Sequence, residues 1–404
     1  MTTAMTTAMA TATATATAAL RVVTALSFTA CAAVTRPPVT PAMLQQEAPL
    51  AAARDRATRD SIIERLARRA IKRGDRTLDV LLLSGGGQNG AFGAGFLRGW
   101  RARADGTMPT FDLVSGISTG ALQAPYALLG TTASLDTLSA LYARAATSIA
   151  PTFDWWFWLR RTGGLVNTAR YDRTLAATID GRFRNDLRTA FADDRQIVFA
   201  TADFDLGIGR LWSLGEELDT TGTGLVRARS LLRAATAIPG IFPPVVVDGH
   251  VHADGGVVEN VLPVLTYDDY RALAQRVRAK GVEQVTVRVW VVMNIWTHAE
   301  PRVIRPSSRG QMSSRSTAML FYLHQPSTLA GLENLARAVS ADVPGVRMQI
   351  RVAALPANES MSPGADKLFE RRFMQRLDSI GFAKARRADP WDSVIGAFVR
   401  PDHP

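Results

Sequence analysis

Cysteine is almost absent from this chain of 404 residues, which contains only Cys31. An intramolecular disulfide needs two cysteines and a cysteine metal cage needs several, so both are excluded. Basic residues are numerous, with 47 Lys and Arg against 36 Asp and Glu, but they are scattered and form no long run. The net charge of +11 therefore predicts attraction to an anionic surface, and it favours a membrane surface over a nucleic-acid site.

The N-terminus also lacks an apolar run long enough to span a bilayer. Residues 1–20 are a Met, Thr and Ala stretch, followed by Arg21, a short apolar segment and small residues around Cys31. This order is typical of a secretory signal. The segment from Phe28 to Cys31 also resembles a bacterial lipobox, in which the cysteine becomes a lipidated N-terminus. We predict a signal peptide over residues 1–31, lipidation at Cys31, and an exported protein anchored at the cell envelope; ordinary cleavage with release to the periplasm or exterior is the alternative.

No change in composition divides the rest of the chain into domains. Residues 32–50 contain paired prolines, which remove donors and favour extended backbone, so they predict a disordered tether. Helix and strand patterns alternate over residues 51–404 in the β-α-β-α order of a mostly parallel sheet flanked by helices. We predict one α/β domain there, with Pro326 dividing two helices.

A short motif follows the strand predicted over residues 111–114. Gly116-x-Ser118-x-Gly120 is typical of a nucleophile elbow, in which glycines allow a sharp turn from strand to helix. Ser118 would stand at a helix N-terminus, where the dipole and free N–H groups favour the negative charge of an attacked carbonyl. A structural loop of glycine and serine fits the same five residues, so both interpretations stay open at this point.

A glycine-rich loop follows the predicted strand over residues 78–83. It matches G-x-G-x-x-G through Gly85, Gly86, Gly87 and Gly90. A dinucleotide site needs an acidic residue at the end of the second strand, whereas Asp112 stands at its beginning, and a phosphate loop needs a Lys followed by Ser or Thr. An oxyanion hole fits better, because adjacent parallel strands bring this loop and Ser118 to one edge of the sheet.

A serine nucleophile needs a base, which is usually histidine. The chain has five histidines, none of them in a recognisable motif: His250, His252, His298, His324 and His403. His250 and His252 would share one face of a strand, but a metal site there lacks a recognisable third ligand. Asp254, Gly255 and Gly256 follow, and the glycines leave the carboxylate unobstructed. A surface turn has the same composition, so the residues alone leave the base open.

The order of the three motifs resembles that of the patatin-like phospholipases, over about residues 78–260. The resemblance implies a three-layer α/β/α fold and a dyad of Ser118 and Asp254 without histidine, metal or cofactor. It also implies an oxyanion hole formed by the loop of Gly85, Gly86 and Gly87, joined by the N–H of Thr119. Asn89 departs from the family, whose members usually carry Arg or Lys at that position.

The implied activity is release of fatty acid from phospholipid or other lipid esters through an acyl-enzyme intermediate. Partners would then be a lipid substrate and a membrane surface, with no nucleic acid. Two alternatives remain open: a Ser-His-Asp esterase or protease using His298 or His324, and a catalytically silent, membrane-tethered binding protein of the same fold.

The densest aromatic cluster runs over residues 154–158, where Trp155, Trp156, Phe157 and Trp158 follow Asp154. Arg160 and Arg161 come directly after it. Such residues can lie at a membrane interface, or they can pack as a cap over the active site.

Overall fold

The computed structural model describes residue 34 and residues 36–219, 222–296, 301 and 303–392. These residues form ten strands: β1 (Thr77–Leu83), β2 (Leu113–Gly116), β3 (Thr152–Phe153), β4 (Val166–Asn167), β5 (Gln196–Asp203), β6 (Ile208–Ser213), β7 (Val245–Val247), β8 (His250–Asp254), β9 (Val285–Met293) and β10 (Val346–Ala354).

The same part of the chain forms twelve α-helices: α1 (Pro41–Lys72), α2 (Gly90–Arg101), α3 (Thr119–Leu129), α4 (Thr132–Ser148), α5 (Phe157–Arg160), α6 (Ala169–Thr178), α7 (Gly181–Ala192), α8 (Leu214–Leu218), α9 (Gly224–Ala235), α10 (Tyr267–Arg278), α11 (Arg309–Asp342) and α12 (Arg371–Ala385). None of these helices is both long and apolar enough to cross a membrane.

The central sheet has eight strands in the order β10-β9-β1-β2-β5-β8-β7, with β6 paired to β5. The five strands from β10 to β5 are parallel, while β6, β7 and β8 pair antiparallel. Strands buried on both faces read as continuous apolar runs, as residues 80–83 of the fully buried β1 do. The predicted α/β class with a mostly parallel sheet flanked by helices is confirmed.

Helices cover both faces of the sheet and create two cores. One face packs against α2, α3, α4, α9 and α12, and the other packs against α1, α10 and α11. Alternate residues of β1 enter the two cores, because successive side chains of a strand point to opposite faces. Leu81 and Leu83 belong to the first core, and Leu78, Val80 and Leu82 belong to the second.

Strand β5 positions the ends of β2 and β8 next to each other. Strand β2 pairs with residues 196–199 of β5, and β8 pairs with residues 201–203. Because β6 pairs with residues 198–203 on one edge of β5, β2 and β8 share the other edge. They run in opposite directions, so both C-terminal ends meet at the junction.

The predicted tether is wrong for its second half, since α1 begins at Pro41 rather than near residue 51. Thr40 caps the helix by accepting a hydrogen bond from the N–H of Met43 at 3.3 Å, and proline is favoured in a first helical turn. Most of residues 41–50 are exposed, so this part of the helix has no apolar periodicity from which it could be predicted.

Pro326 does not divide two helices, because α11 continues through it. The C-terminal half of α11 packs its apolar face into the core through Leu329, Leu332, Ala336 and Val339. This packing outweighs the local cost of a proline within a helix, which is about 3 kcal/mol.

Candidate active site

Ser118 occupies a sharp turn between β2 and α3. Its backbone angles are φ 52° and ψ −121°, an uncommon conformation for a residue with a side chain and one found at functional sites. The two flanking glycines are needed for close approach. A Cβ on Gly116 would overlap the Gly120 carbonyl, and a Cβ on Gly120 would overlap the carbonyl oxygen of Leu83. The pentapeptide thus forms the strand, turn and helix of a nucleophile elbow.

Asp254 ends β8 and lies directly against this serine. The Ser118 hydroxyl donates to Asp254 Oδ2 at 2.6 Å. The other carboxylate oxygen, Oδ1, accepts the N–H of Gly256 at 2.8 Å, within the 3-10 turn that Gly255 begins. Both oxygens of the buried carboxylate therefore have partners, and one partner is the hydroxyl of the elbow.

Burial raises the pKa of Asp254 to about 6, although the hydrogen bonds from Ser118 and the Gly256 N–H lower it. Desolvation disfavours the charged form of a carboxyl group, which explains the direction of this change. The group is still ionised at neutral pH, but it binds a proton more tightly than an ordinary aspartate. A general base works best when its pKa lies near the operating pH.

The glycine-rich loop presents free backbone donors beside Ser118. Among the described residues, the N–H groups of Gly86, Gly87 and Thr119 have no hydrogen-bond partner. Gly87 and Thr119 line the same pocket as Ser118. The prediction is wrong for Gly85 as a donor, because its N–H is bonded to the carbonyl oxygen of Asn260 at 3.1 Å.

A buried polar network connects the glycine-rich loop to the elbow. Asn294 donates from Nδ2 to the Ser84 carbonyl at 2.9 Å and to Gln123 Oε1 at 3.1 Å. Gln123 donates from Nε2 to the carbonyl of Gly90, the first residue of α2, at 2.6 Å and to the Tyr142 hydroxyl at 3.2 Å. That hydroxyl is in turn bonded to Thr119 Oγ1. The network fixes the loop and the elbow relative to each other.

The C-terminal part of the chain holds the loop from its other side. The Gln88 side chain donates to the carbonyls of Gly364 and Lys367 at 3.0 and 2.6 Å, and it accepts the N–H of Glu370 at 2.8 Å. Phe369 reaches the pocket beside Ser118. Residues beyond 265, which carry no recognisable motif, therefore complete the site.

An apolar pocket of about 920 Å³, including its open mouth, begins at Ser118. It follows α3 past Leu122 and Pro125 to Tyr126, a distance of about 12 Å from Ser118 at the helical rise per residue. Its other walls come from α4, α6, α9 and the segments that follow these helices. Their surface is almost entirely apolar and is formed by Leu138, Leu141, Ala145, Ile149, Leu175, Ile179, Leu232, Ile238 and Phe242. The pocket suits an unbranched apolar chain.

The two described histidine side chains form hydrogen bonds with residues other than Ser118. His250 Nδ1 lies 2.8 Å from Asp203 Oδ2, and His252 Nδ1 lies 2.8 Å from Thr201 Oγ1. No cluster of three or more metal-ligating side chains occurs among the residues that the structure describes. His298 and His403, the side chain of His324, and Cys31 lie outside the described part of the chain.

Sequence reasoning did not find the residues that support the loop, namely Gln123, Tyr142, Asn294 and Phe369. Asn294 offered one usable signal: it is a polar residue directly after the apolar strand β9, at the sheet edge where ligands bind in α/β folds. Asn89, the departure from the family pattern, is buried, and its Oδ1 has no partner within the described chain.

The elbow, the carboxylate bonded to its serine and the free N–H groups form the arrangement that acyl hydrolases of the serine type use. Residues 81–266 match the family model of patatin-like phospholipases. This part of the chain, which contains both Ser118 and Asp254, is therefore similar to that family of lipid acyl hydrolases.

The chain is similar to the crystal structure of VipD from Legionella pneumophila, with 14% sequence identity and a TM-score of 0.33. That match covers 76% of this chain and 66% of the other, slightly less than two thirds of its length. A search of curated proteins gave no match.

Proposed function

We propose that the protein releases fatty acid from phospholipid or other lipid esters, with Ser118 as nucleophile and Asp254 as general base. The hydrogen bond of 2.6 Å between Ser118 Oγ and Asp254 Oδ2, at the beginning of an apolar pocket, carries this proposal. Mass spectrometry of products from mixed phospholipids tests it, with wild type beside Ser118→Ala and Asp254→Asn. Absence of serine-dependent products from every lipid ester would favour the silent binding protein.

In the first step Asp254 accepts the hydroxyl proton while Ser118 Oγ attacks the ester carbonyl carbon. The carbonyl oxygen becomes an oxyanion, which the N–H groups of Gly86, Gly87 and Thr119 stabilise. As the carbon–oxygen bond to the alcohol breaks, Asp254 returns the proton to the leaving alcohol. In the second step Asp254 takes a proton from water, whose oxygen attacks the acyl-enzyme, and the fatty acid leaves as Ser118 regains its proton.

The pocket favours a lipid substrate over a peptide or a short polar ester. A fatty acyl chain that enters it exchanges water for side chains of α3, α4, α6 and α9, and each buried methylene contributes about 0.8 kcal/mol. A polar chain would lose its hydrogen bonds to water without finding partners on these walls. The side chains of His250 and His252 are hydrogen-bonded to Asp203 and Thr201 rather than to Ser118. This likewise favours Asp254 as the base.

Lengthening the acyl chain of a nitrophenyl ester is expected to raise kcat/KM about three- to fourfold per methylene until the pocket is filled. On α4, Tyr142 is bonded to Thr119 at the Ser118 end of the pocket, and Ser134 is bonded to the Tyr126 carbonyl at its far end. Leu138 lies between Ser134 and Tyr142, so it is midway along the pocket. Leu138→Trp is expected to abolish the gain for long chains and leave short chains unaffected. The conservative Leu138→Met is the control, and equal loss at all chain lengths would contradict this placement.

Two neighbouring glycines allow a matched test of the oxyanion hole. A Cβ on Gly86 would overlap the backbone carbonyl of Asn294, whereas a Cβ on Gly87 meets nothing within 4 Å. Gly86→Ala must therefore displace the loop, and we expect kcat to fall about a hundredfold to a thousandfold, as for loss of one oxyanion donor. Gly87→Ala should cost mainly stability, about 1 to 2 kcal/mol, for its left-handed backbone. Similar kcat values for both variants would contradict the assignment.

Export of the protein and lipidation of Cys31 stay predictions, since residues 1–33 lie outside the described structure. The proposed chemistry does not depend on either of them.

A further inference from the structure

An aromatic hairpin, defined as residues 152–167, projects its largest side chains into solvent. Trp155, Trp156 and Trp158 are 78%, 56% and 65% exposed, and Phe153 is 49% exposed. The ring of Phe153 contacts those of Trp155 and Phe157, with centroids 5.0 and 5.9 Å apart, so these three rings form one surface beside the exposed Trp156 and Trp158. The interpretation of this cluster as a packed cap is wrong. Continuous exposed apolar surface marks an interaction site.

Hydrogen bonds hold the aromatic hairpin in a defined shape. Asp154 is buried and accepts the Trp156 N–H at 3.1 Å and the Arg160 guanidinium at 3.2 Å. The N–H groups of Leu165 and Val166 both donate to the Ile241 carbonyl, at 2.9 and 3.2 Å. The rings are thus carried by a strand pair that is attached to the body of the protein.

The attachment point lies beside the apolar pocket. Val166 belongs to one apolar cluster with Phe242, and Ile149 and Ile238 pack against that cluster. The last three of these residues line the pocket that begins at Ser118. A surface that receives the aromatic hairpin would therefore lie next to the route by which an acyl chain enters.

The charge around the aromatic hairpin is positive. Arg161 follows the tryptophans, and Arg170 and Arg173 lie in the first turns of α6, directly after β4. All three are exposed, and none has a carboxylate partner in the described part of the chain. Tryptophan is enriched at the level of lipid headgroups, and arginines close to a membrane are attracted to an anionic leaflet.

We propose that the aromatic hairpin docks the protein on the surface of an anionic phospholipid bilayer and places the pocket against it. The tryptophan rings enter the headgroup region, and the three arginines contact phosphate groups. This inference rests on the proposed lipid hydrolase function and names the physical form of its substrate: lipid in an assembled surface rather than dispersed monomers.

Vesicle flotation tests the proposal with the full chain carrying Cys31→Ser, which prevents lipidation at that position, and Ser118→Ala, which preserves the vesicles. We expect binding to phosphatidylcholine vesicles that contain phosphatidylglycerol, and weaker binding without it or at high salt. Replacing Trp155, Trp156 and Trp158 together by Ala should lower partition about tenfold or more. Phe204→Ala is the matched control, since Phe204 is an exposed aromatic residue in the turn between β5 and β6.

The remaining outcomes separate this proposal from the proposed function. With Ser118 present, the tryptophan variant should hydrolyse a soluble short-chain ester normally and vesicle lipid poorly; equal loss on both substrates would overturn docking. Unchanged vesicle binding of the tryptophan variant would also overturn docking. So would a light-scattering result in which wild type is a dimer and the variant a monomer, because the exposed rings would then contact a second copy of the chain. Tryptophan-dependent binding without hydrolysis of any ester would support docking and refute the hydrolase.

Discussion

Replacing Ser118 with alanine is expected to lower kcat for a lipid ester about 10⁴- to 10⁶-fold, because loss of a serine nucleophile has an effect of this size in other hydrolases. The variant should also fail to react with a fluorophosphonate probe, which labels activated serines. Binding of an unreactive lipid analogue should be nearly unchanged, since the apolar pocket is intact. Kinetics with a nitrophenyl ester and gel-based labelling measure both effects.

Ser115 provides the matched control for this substitution. It lies three residues before Ser118, in β2, and its hydroxyl donates to the Leu262 carbonyl at 2.6 Å. Ser115→Ala should lose about 1 kcal/mol of stability through that bond but keep its labelling and turnover. Probe uptake by Ser118→Ala equal to that of wild type would place the nucleophile elsewhere. Labelling of neither wild type nor variant would favour a silent binding protein.

The elbow could be predicted from sequence because its geometry is local. Apolar residues end in Gly116-x-Ser118-x-Gly120, and the steric limits that require these glycines act within a few residues. The same holds for β1 and the glycine-rich loop after it. Asp254 is different, since its distance from Ser118 depends on β2 and β8 sharing one edge of β5, a pairing that no local pattern reveals. Family resemblance supplied this residue before the structure showed the contact.

Tertiary contacts likewise decide which backbone N–H groups of the glycine-rich loop are free to bind an oxyanion. The sequence treats Gly85, Gly86 and Gly87 alike, yet the first N–H is used by the Asn260 carbonyl. The supporting residue Asn294 is separated from Ser84 by 210 positions. For the aromatic hairpin, composition allowed both burial and membrane contact, and only the exposure of the rings distinguishes them.

The pH dependence of catalysis should identify the base. Asp254 accepts a proton only when ionised, and burial raises its pKa to about 6. We therefore expect kcat/KM to increase with pH, with a midpoint near 6, and to level off above it. Asp254→Asn should lower kcat about 10⁴- to 10⁶-fold, comparable with loss of the base that deprotonates the serine in other hydrolases, and remove this limb from what activity remains.

Glu259 is the necessary control, because burial also raises its pKa, to about 7, and it lies five residues beyond Asp254. Glu259→Gln should keep the limb near pH 6 if Asp254 is the base. If the limb instead disappears with Glu259, or if histidine substitutions remove it while Asp254→Asn retains turnover, the dyad is refuted and a histidine-dependent or different arrangement is required.

The same pKa predicts an effect on stability. The Asp254 carboxyl binds its proton more tightly in the folded protein than in the unfolded chain, where its pKa is 3.8. The protonated carboxyl therefore contributes its full share to the free energy of unfolding below about pH 4. This contribution, about 3 kcal/mol, is lost as the pH rises through 6. Asp254→Asn, which cannot ionise, should be more stable than wild type at pH 8 and similar at pH 4. Denaturant unfolding at both pH values measures this difference, and equal stability at pH 8 would show that the buried charge does not strain the fold.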